Sequence, residues 1–151
     1  MSKVGWKVLQ EVECSSGIVI QNANTPEDTC LDSVSSRRVD IIAFNQVSKK
    51  GIILDPTIRM EQDTNQAEAV HQEKRAIYDP CIPYFKEKLG LNEIEVIGLY
   101  IGARGTIPNF FLQFMKNQSL PSTLIEDIVT TVLKKSVQIC VHHLFSTVTE
   151  N

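Results

Sequence analysis

The chain has 151 residues, 42% of them apolar and 22% charged, with a net charge of −3 and a pI near 5.6. That length suits a single domain over residues 1–151 which needs no disulfide or metal to fold, and the composition is globular rather than disordered. The acidic balance argues against a stand-alone nucleic-acid binder with a basic surface, although a carboxylate-rich site on such a domain also lowers the pI.

Gly5 to Cys14 alternates, with Trp6, Val8 and Val12 on one side and Lys7, Glu11 and Glu13 on the other, which predicts a half-buried strand. Gly17 to Ile20 is a second short strand by the same reading, and the polar stretch Asn22 to Ser36, with Pro26, is a loop. Val39 to Phe44 and Gly51 to Glu61 are β-rich runs joined by the polar segment Asn45 to Lys50, a hairpin pattern. Pro56 cannot donate to a ladder, so a bulge or strand end is expected beside it. Thr64 to Tyr78 reads as a helix, capped by Asp63 or Thr64 and stopped by Asp79-Pro80. A second helical piece runs from Ile82 to Leu89 and ends at Gly90.

Glu93 to Ile101 is an apolar strand. Thr106 to Met115 and Thr123 to Leu144 are helices, the latter opening on the capping-box spacing Thr123–Glu126. Its apolar positions Ile125, Ile128, Val129, Val132 and Ile139 recur near helical period. Strands come first and helices close over them, so the fold class is α/β or α+β around a mixed sheet.

The cysteines Cys14, Cys30, Cys81 and Cys140 lack a short C-x-x-C spacing, which argues against a zinc ribbon and for reduced thiols in an intracellular protein. No leader opens the chain and no apolar run approaches the ~18 residues of a span, so neither secretion nor membrane insertion is expected.

Asp40 and Asp55 fall on neighbouring hairpin strands. Two carboxylates held that close repel unless a cation lies between them, and hard oxygen donors suit magnesium or manganese. Lys74 shares a helix face with His71 and Tyr78. An ammonium at an acidic pocket can balance charge developing on a phosphoryl group; a solvated helix charge is the other reading. Arg59 and Arg75 are candidate phosphate contacts, and Arg104-Gly105-Thr106 leads into a helix N-terminus that could hold a phosphate. Phe110, Phe111 and Phe114 have core spacing rather than that of a base-stacking platform. The adjacent His142 and His143 point about 100° apart on a helix and do not make one metal site.

One ordered set of motifs adds weight. Arg38-Val-Asp40-Ile-Ile-Ala-Phe44, then Ile-Leu-Asp55-Pro-Thr-Ile-Arg-Met-Glu61, then Lys74-x-x-x-Tyr78, resembles the restriction-like endonuclease of site-specific LINE-type (non-LTR) retrotransposons. The leading Gly5-Trp6 with Glu11 and the later Gly102-Ala-Arg104-Gly-Thr-Ile-Pro108 belong to the same pattern, which extends from about Gly5 to Leu144.

The resemblance implies a PD-(D/E)xK restriction-endonuclease-like core, a mixed β-sheet flanked by helices. It implies a metal-dependent endonuclease that nicks target DNA and leaves a 3′-hydroxyl able to prime reverse transcription. Asp40 and Asp55 would ligate Mg2+ or Mn2+. Lys74 would be the catalytic lysine with Tyr78 its helical companion, Glu61 a further ligand, and Glu11 another on the first strand. Arg38, Arg59, Arg75 and Arg104 would hold DNA phosphates.

Val39 stands where many relatives carry proline, and Thr57 rather than lysine follows Asp55 by two residues, which shifts the lysine to Lys74. The sequence carries neither a reverse transcriptase nor a Cys/His zinc knuckle. The resemblance therefore implies either an excised domain working with the reverse transcriptase region of a larger polyprotein, or a domesticated remnant. Its setting would be nuclear or otherwise intracellular, with DNA as partner. Apart from the resemblance, a third reading is an interaction protein that uses the long last helix, for example as a homodimer, although the apolar face of that helix is broad enough to pack on its own sheet, which is the default. The alternative function is a non-catalytic module that kept the nuclease fold and binds nucleic acid or protein.

Overall fold

The computed structural model describes residues 5–14 and 37–146. The expected strand at Gly17 to Ile20 and the loop from Asn22 to Ser36 lie outside the described residues. The elements are β1 (Trp6–Cys14), β2 (Arg37–Asn45), β3 (Lys50–Arg59), α1 (Gln66–Tyr78), a 3-10 turn (Asp79–Cys81), α2 (Ile82–Leu89), β4 (Glu93–Gly102), α3 (Asn109–Asn117) and α4 (Thr123–Ser146).

Among the described residues the strands form one four-stranded sheet in the order β1-β2-β3-β4. β1 pairs antiparallel with β2 from Trp6↔Asn45 to Cys14↔Arg37, and β2 pairs antiparallel with β3 from Asn45↔Lys50 to Ile41↔Leu54. The amide of Asn92 donates to the Lys49 carbonyl at 2.8 Å and that of Ala103 to the Arg59 carbonyl at 2.9 Å. These bonds rise together in sequence, so β4 runs parallel to β3 and the sheet is mixed. A parallel neighbour needs a long crossover, which α1 and α2 supply.

Local chemistry explains the boundaries. Asn45 closes the β2–β3 hairpin by accepting the amides of Val47 (2.9 Å) and Ser48 (3.0 Å) on its side-chain oxygen, an Asx turn. The register with β2 stops at Leu54, just before Asp55-Pro56, while β3 itself continues to Arg59. The strand therefore runs through the proline, whose missing N–H falls beyond the ladder with β2, which ends at Ile41↔Leu54. Helix α1 starts two residues later than expected. Asp63 turns its carboxylate onto the Asn65 amide at 2.8 Å, and Gln66 bridges the Met60 carbonyl and Gln62 amide, both at 2.9 Å. Gly90 ends α2 in left-handed backbone (φ 62°), the conformation that glycine adopts without a Cβ penalty.

The chain divides into two compact units. The first holds the described residues up to Asp55 together with Glu73–Gly98. Its core is Cys14, Val39, Ile42, Ile53, Tyr78, Cys81, Phe85 and Val96, with Val12, Ile77, Ile82 and Leu89 packed around it.

The second unit holds Pro56–Gln72 and the residues from Leu99 onward. It buries Val70, Leu99, Ile101, Phe111, Phe114, Met115 and Val132, so Phe111 and Phe114 are core side chains. Phe110 packs instead on His71, with ring centroids 4.8 Å apart. On α4 the apolar period holds only partway. Ile125, Ile128 and Val129 are half-buried and Val132 is buried, whereas Ile139 is exposed, as are Val137, Leu144 and Phe145. Ile139 thus shares the helical period without being buried.

Candidate active site

The first unit brings Asp40, Asp55, Lys74 and Tyr78 together. The β2–β3 ladder ends at Ile41↔Leu54, and one further step in that register sets Asp40 across from Asp55. Strand neighbours lie about 4.8 Å apart. On the other side of β2, the ladder with β1 runs through Gln10↔Ile41 and Val12↔Val39, which sets Glu11 beside Asp40. Glu11 takes left-handed backbone (φ 54°) at that point, unusual for a non-glycine residue inside a strand. Backbone strain of this kind is retained only where the surrounding structure enforces it.

Lys74 and Tyr78 are four residues apart on α1 and share a face. The Lys74 ammonium lies 3.1 Å from Asp55 Oδ2, with only 15% and 6% of the two side chains exposed. The Tyr78 hydroxyl hydrogen-bonds Asp55 and lies 3.4 Å from the Arg38 carbonyl oxygen. Burial, then that hydrogen bond, then the negative charges of Asp55 and Asp40 hold the Tyr78 proton far above the usual phenol range. The side chain therefore stays a neutral donor to Asp55. Arg37 anchors the end of α1 by donating to the Ile77 carbonyl.

Asp40 has its pKa raised above the ordinary aspartate value, first by burial, then by the charges of Asp55 and Glu11; Lys74 and Arg38 oppose this less strongly. Glu11 is itself engaged by Arg38, Nε to Oε2 at 2.6 Å. The neighbourhood thus carries three carboxylates against two cationic side chains. The remaining unbalanced charge is negative, and the donors are hard oxygens, which matches a divalent cation of the magnesium type. Among the described residues no group of three or more His, Cys, Asp or Glu side chains is arranged to hold a metal by itself. Two carboxylates completed by water and substrate phosphate is the usual habit of magnesium, whereas zinc takes a closed protein cage.

The other sequence-predicted residues are placed elsewhere or already engaged. Glu61 lies in the second unit, where its oxygens accept the Arg104 amide (3.1 Å), Arg104 Nε (3.1 Å) and the Thr106 hydroxyl (2.9 Å). Burial would raise its pKa, but hydrogen bonds from its own backbone, Thr106 and Arg104 outweigh this and lower it to about 2. Arg75 pairs with Asp79 at 3.7 Å one turn along α1. Arg59 is half-buried and its carbonyl holds Ala103.

Two features were not foreseen from the sequence. Cys14 and Cys81 meet in the first core, both fully buried. Burial and the hydrogen bond to Cys14 push the Cys81 thiol up to about 12. In the second unit the Tyr100 hydroxyl is buried without a hydrogen-bond partner among the described residues. Only the distant spacing of the cysteines and the aromatic in an otherwise aliphatic strand marked these positions, and neither is a local signal.

Compared with known proteins, the chain matches no family model and no curated protein. Among the described residues no helix is long and apolar enough to cross a membrane.

Proposed function

We propose that this chain is a divalent-metal-dependent DNA endonuclease domain with a PD-(D/E)xK core, which nicks a target strand and leaves a 3′-hydroxyl. The observation that carries the reading is the convergence of Asp40, Asp55 and Lys74: two acids on adjacent strands and a largely buried ammonium 3.1 Å from one of them. The mixed sheet with a helical crossover is compatible with that core. The likeness to the LINE-type restriction-like endonucleases supplies the substrate class.

In this reading Asp40 and Asp55 hold Mg2+ or Mn2+, with Glu11 next to them. A bound divalent ion polarises the phosphodiester and neutralises its charge. Lys74 offers its positive charge to the phosphoryl oxygens as negative charge builds on them. Tyr78 fixes the rotamer of Asp55 by donating to it, and Arg38 and Arg75 lie on the same unit as further cations for the DNA backbone. Water attacks phosphorus in line with the leaving 3′-oxygen, which departs as the 3′-hydroxyl; attack in line with the 5′-oxygen would give the other end chemistry. The proposed step therefore breaks the bond from phosphorus to the 3′-oxygen and leaves phosphate on the 5′ end.

The test is nicking of supercoiled plasmid in magnesium and in manganese, with EDTA as control. Asp40→Asn and Lys74→Met should each abolish nicking, and the wild-type nick should be extended directly by a DNA polymerase. Equal nicking by wild type and Asp40→Asn would overturn the assignment. DNA binding without nicking in either metal would favour the non-catalytic module.

A further inference from the structure

We infer that Glu61 is a positioning residue that fixes Arg104 as a grip for a DNA phosphate, rather than a ligand of the metal. The inference rests on DNA as the substrate of the proposed nuclease and adds a role for the turn after β4.

The carboxylate of Glu61 is only 16% exposed, whereas the Arg104 side chain is 70% exposed. Its two oxygens are occupied by the Arg104 amide, Arg104 Nε and the Thr106 hydroxyl, and the low pKa of about 2 keeps it ionised. A carboxylate with both oxygens committed to protein donors is a poor candidate for coordinating an ion. The guanidinium is held through Nε, and among the described residues no hydrogen bond or ion pair engages the two terminal nitrogens of Arg104. A planar fork with two parallel donors is the geometry that matches a phosphate.

The turn carrying Arg104 is fixed on several sides within the second unit. The Gly102 amide donates to the Thr106 carbonyl at 2.8 Å, the Gly105 amide to the Gly102 carbonyl at 2.8 Å, and the Ala103 amide to the Arg59 carbonyl. Ser136 on α4 donates to the Ala103 carbonyl at 2.8 Å. A Cβ on Gly102 would lie 2.3 Å from Glu61 Oε1, so glycine is needed there for the carboxylate to seat. Gly105 has φ 86°, and a Cβ there would approach Val129 and Leu133 at 3.1 and 3.3 Å. A long exposed side chain ordinarily loses rotamer entropy when it binds. Here the loss is already met by the fold, the arrangement that favours binding by a preformed group.

The experiment measures affinity of the full chain for a fluorescein-labelled DNA duplex by anisotropy, without divalent metal, over a salt series. Arg104→Gln and Arg104→Lys should each weaken binding several-fold, and Arg104→Gln should lower the slope of log affinity against log salt by about one. Glu61→Gln should lie between wild type and Arg104→Gln. A purely structural pair would instead lower the thermal midpoint of these variants and leave affinity and salt slope unchanged, which would overturn the inference, as would the absence of measurable DNA binding by wild type. Should Glu61→Gln fail to fold, the exposed Arg104 variants carry the test alone. Binding is read apart from cleavage. Loss of affinity in Arg104→Gln with no nicking by wild type removes the nuclease and keeps the grip. Nicking with unchanged Arg104→Gln affinity does the reverse.

Discussion

Removing the charge of Lys74 should expose how the site is held together in the absence of metal. Lys74 and Asp55 are 3.1 Å apart, with 15% and 6% of their side chains exposed, and Asp40 adds a second negative charge nearby. Truncating one member of a buried pair strands the other charge and typically costs 3–5 kcal/mol, roughly, whereas replacing both members by neutral groups of similar shape is often close to neutral. Lys74 keeps some solvent contact, so Lys74→Met should cost about 3 kcal/mol. At about 2–4 °C per kcal/mol for a chain of this size, the thermal midpoint should fall by about 6–12 °C. The double variant Asp55→Asn with Lys74→Met should recover most of that loss, giving a coupling of about 2 kcal/mol in a double-mutant cycle. Magnesium should stabilise Lys74→Met more than wild type, since the Asp55 charge is then no longer offset by the lysine; saturation at about a hundred times Kd is worth roughly 2.7 kcal/mol. Differential scanning calorimetry on the four proteins, with and without magnesium, supplies every number. Simple additivity of the two single variants, with no magnesium effect on either, would refute the picture of one shared pocket.

Asp40→Asn should raise the thermal midpoint of the metal-free protein at pH 7 while removing its response to magnesium. The folded pKa of Asp40 is raised above 3.8 by burial and by Asp55 and Glu11. Its contribution to stability is therefore present below about pH 3.8 and is lost as pH rises through the folded value. The wild-type and variant stability curves should accordingly coincide in acid and part above it. Cys14 and Cys81 should resist alkylation in the native protein at pH 8, since both are fully buried and the Cys81 thiol is pushed up to about 12, whereas the exposed Cys140 should be modified at once. Peptide mass mapping after a short iodoacetamide pulse reads each site, and early labelling of Cys81 would count against the packing described for the first core.

The residues that were legible in the sequence are those tied by short-range rules. Asp40 and Asp55 could be brought together on paper because the Asn45–Lys50 hairpin fixes the register between their strands, and a two-strand register carries every cross-strand pair with it. Lys74 and Tyr78 could be joined by helical spacing alone. The helix start was misjudged by two residues because Asp63 and Gln66 commit their side chains to the loop before α1. The pairing of Glu61 with Arg104 was not legible, since the two lie 43 residues apart. The local hint was the pair of glycines around Arg104, and Gly102 makes room for a carboxylate that no nearby sequence supplies. Ile139 keeps the period of α4 yet is exposed, since period shows which residues share a helix face, not how far along the helix a covering layer extends.

The proposed metal site rests on the charges of the first unit. A fold selected only for stability has little use for Glu11, Asp40 and Asp55 on three consecutive strands, with two of them raising the pKa of the third. It has still less use for left-handed backbone at Glu11, which places strain beside that repulsion. Lys74 offsets Asp55 and Arg38 offsets Glu11, yet Asp40 remains the member whose charge is opposed. In the proposed reading, the burial of Asp40 and its repulsion by Asp55 and Glu11 are what a divalent cation beside it would relieve. If an ion binds there as proposed, the stability lost in the metal-free protein should be recovered with it, so thermal stability and nicking should share the same dependence on magnesium concentration.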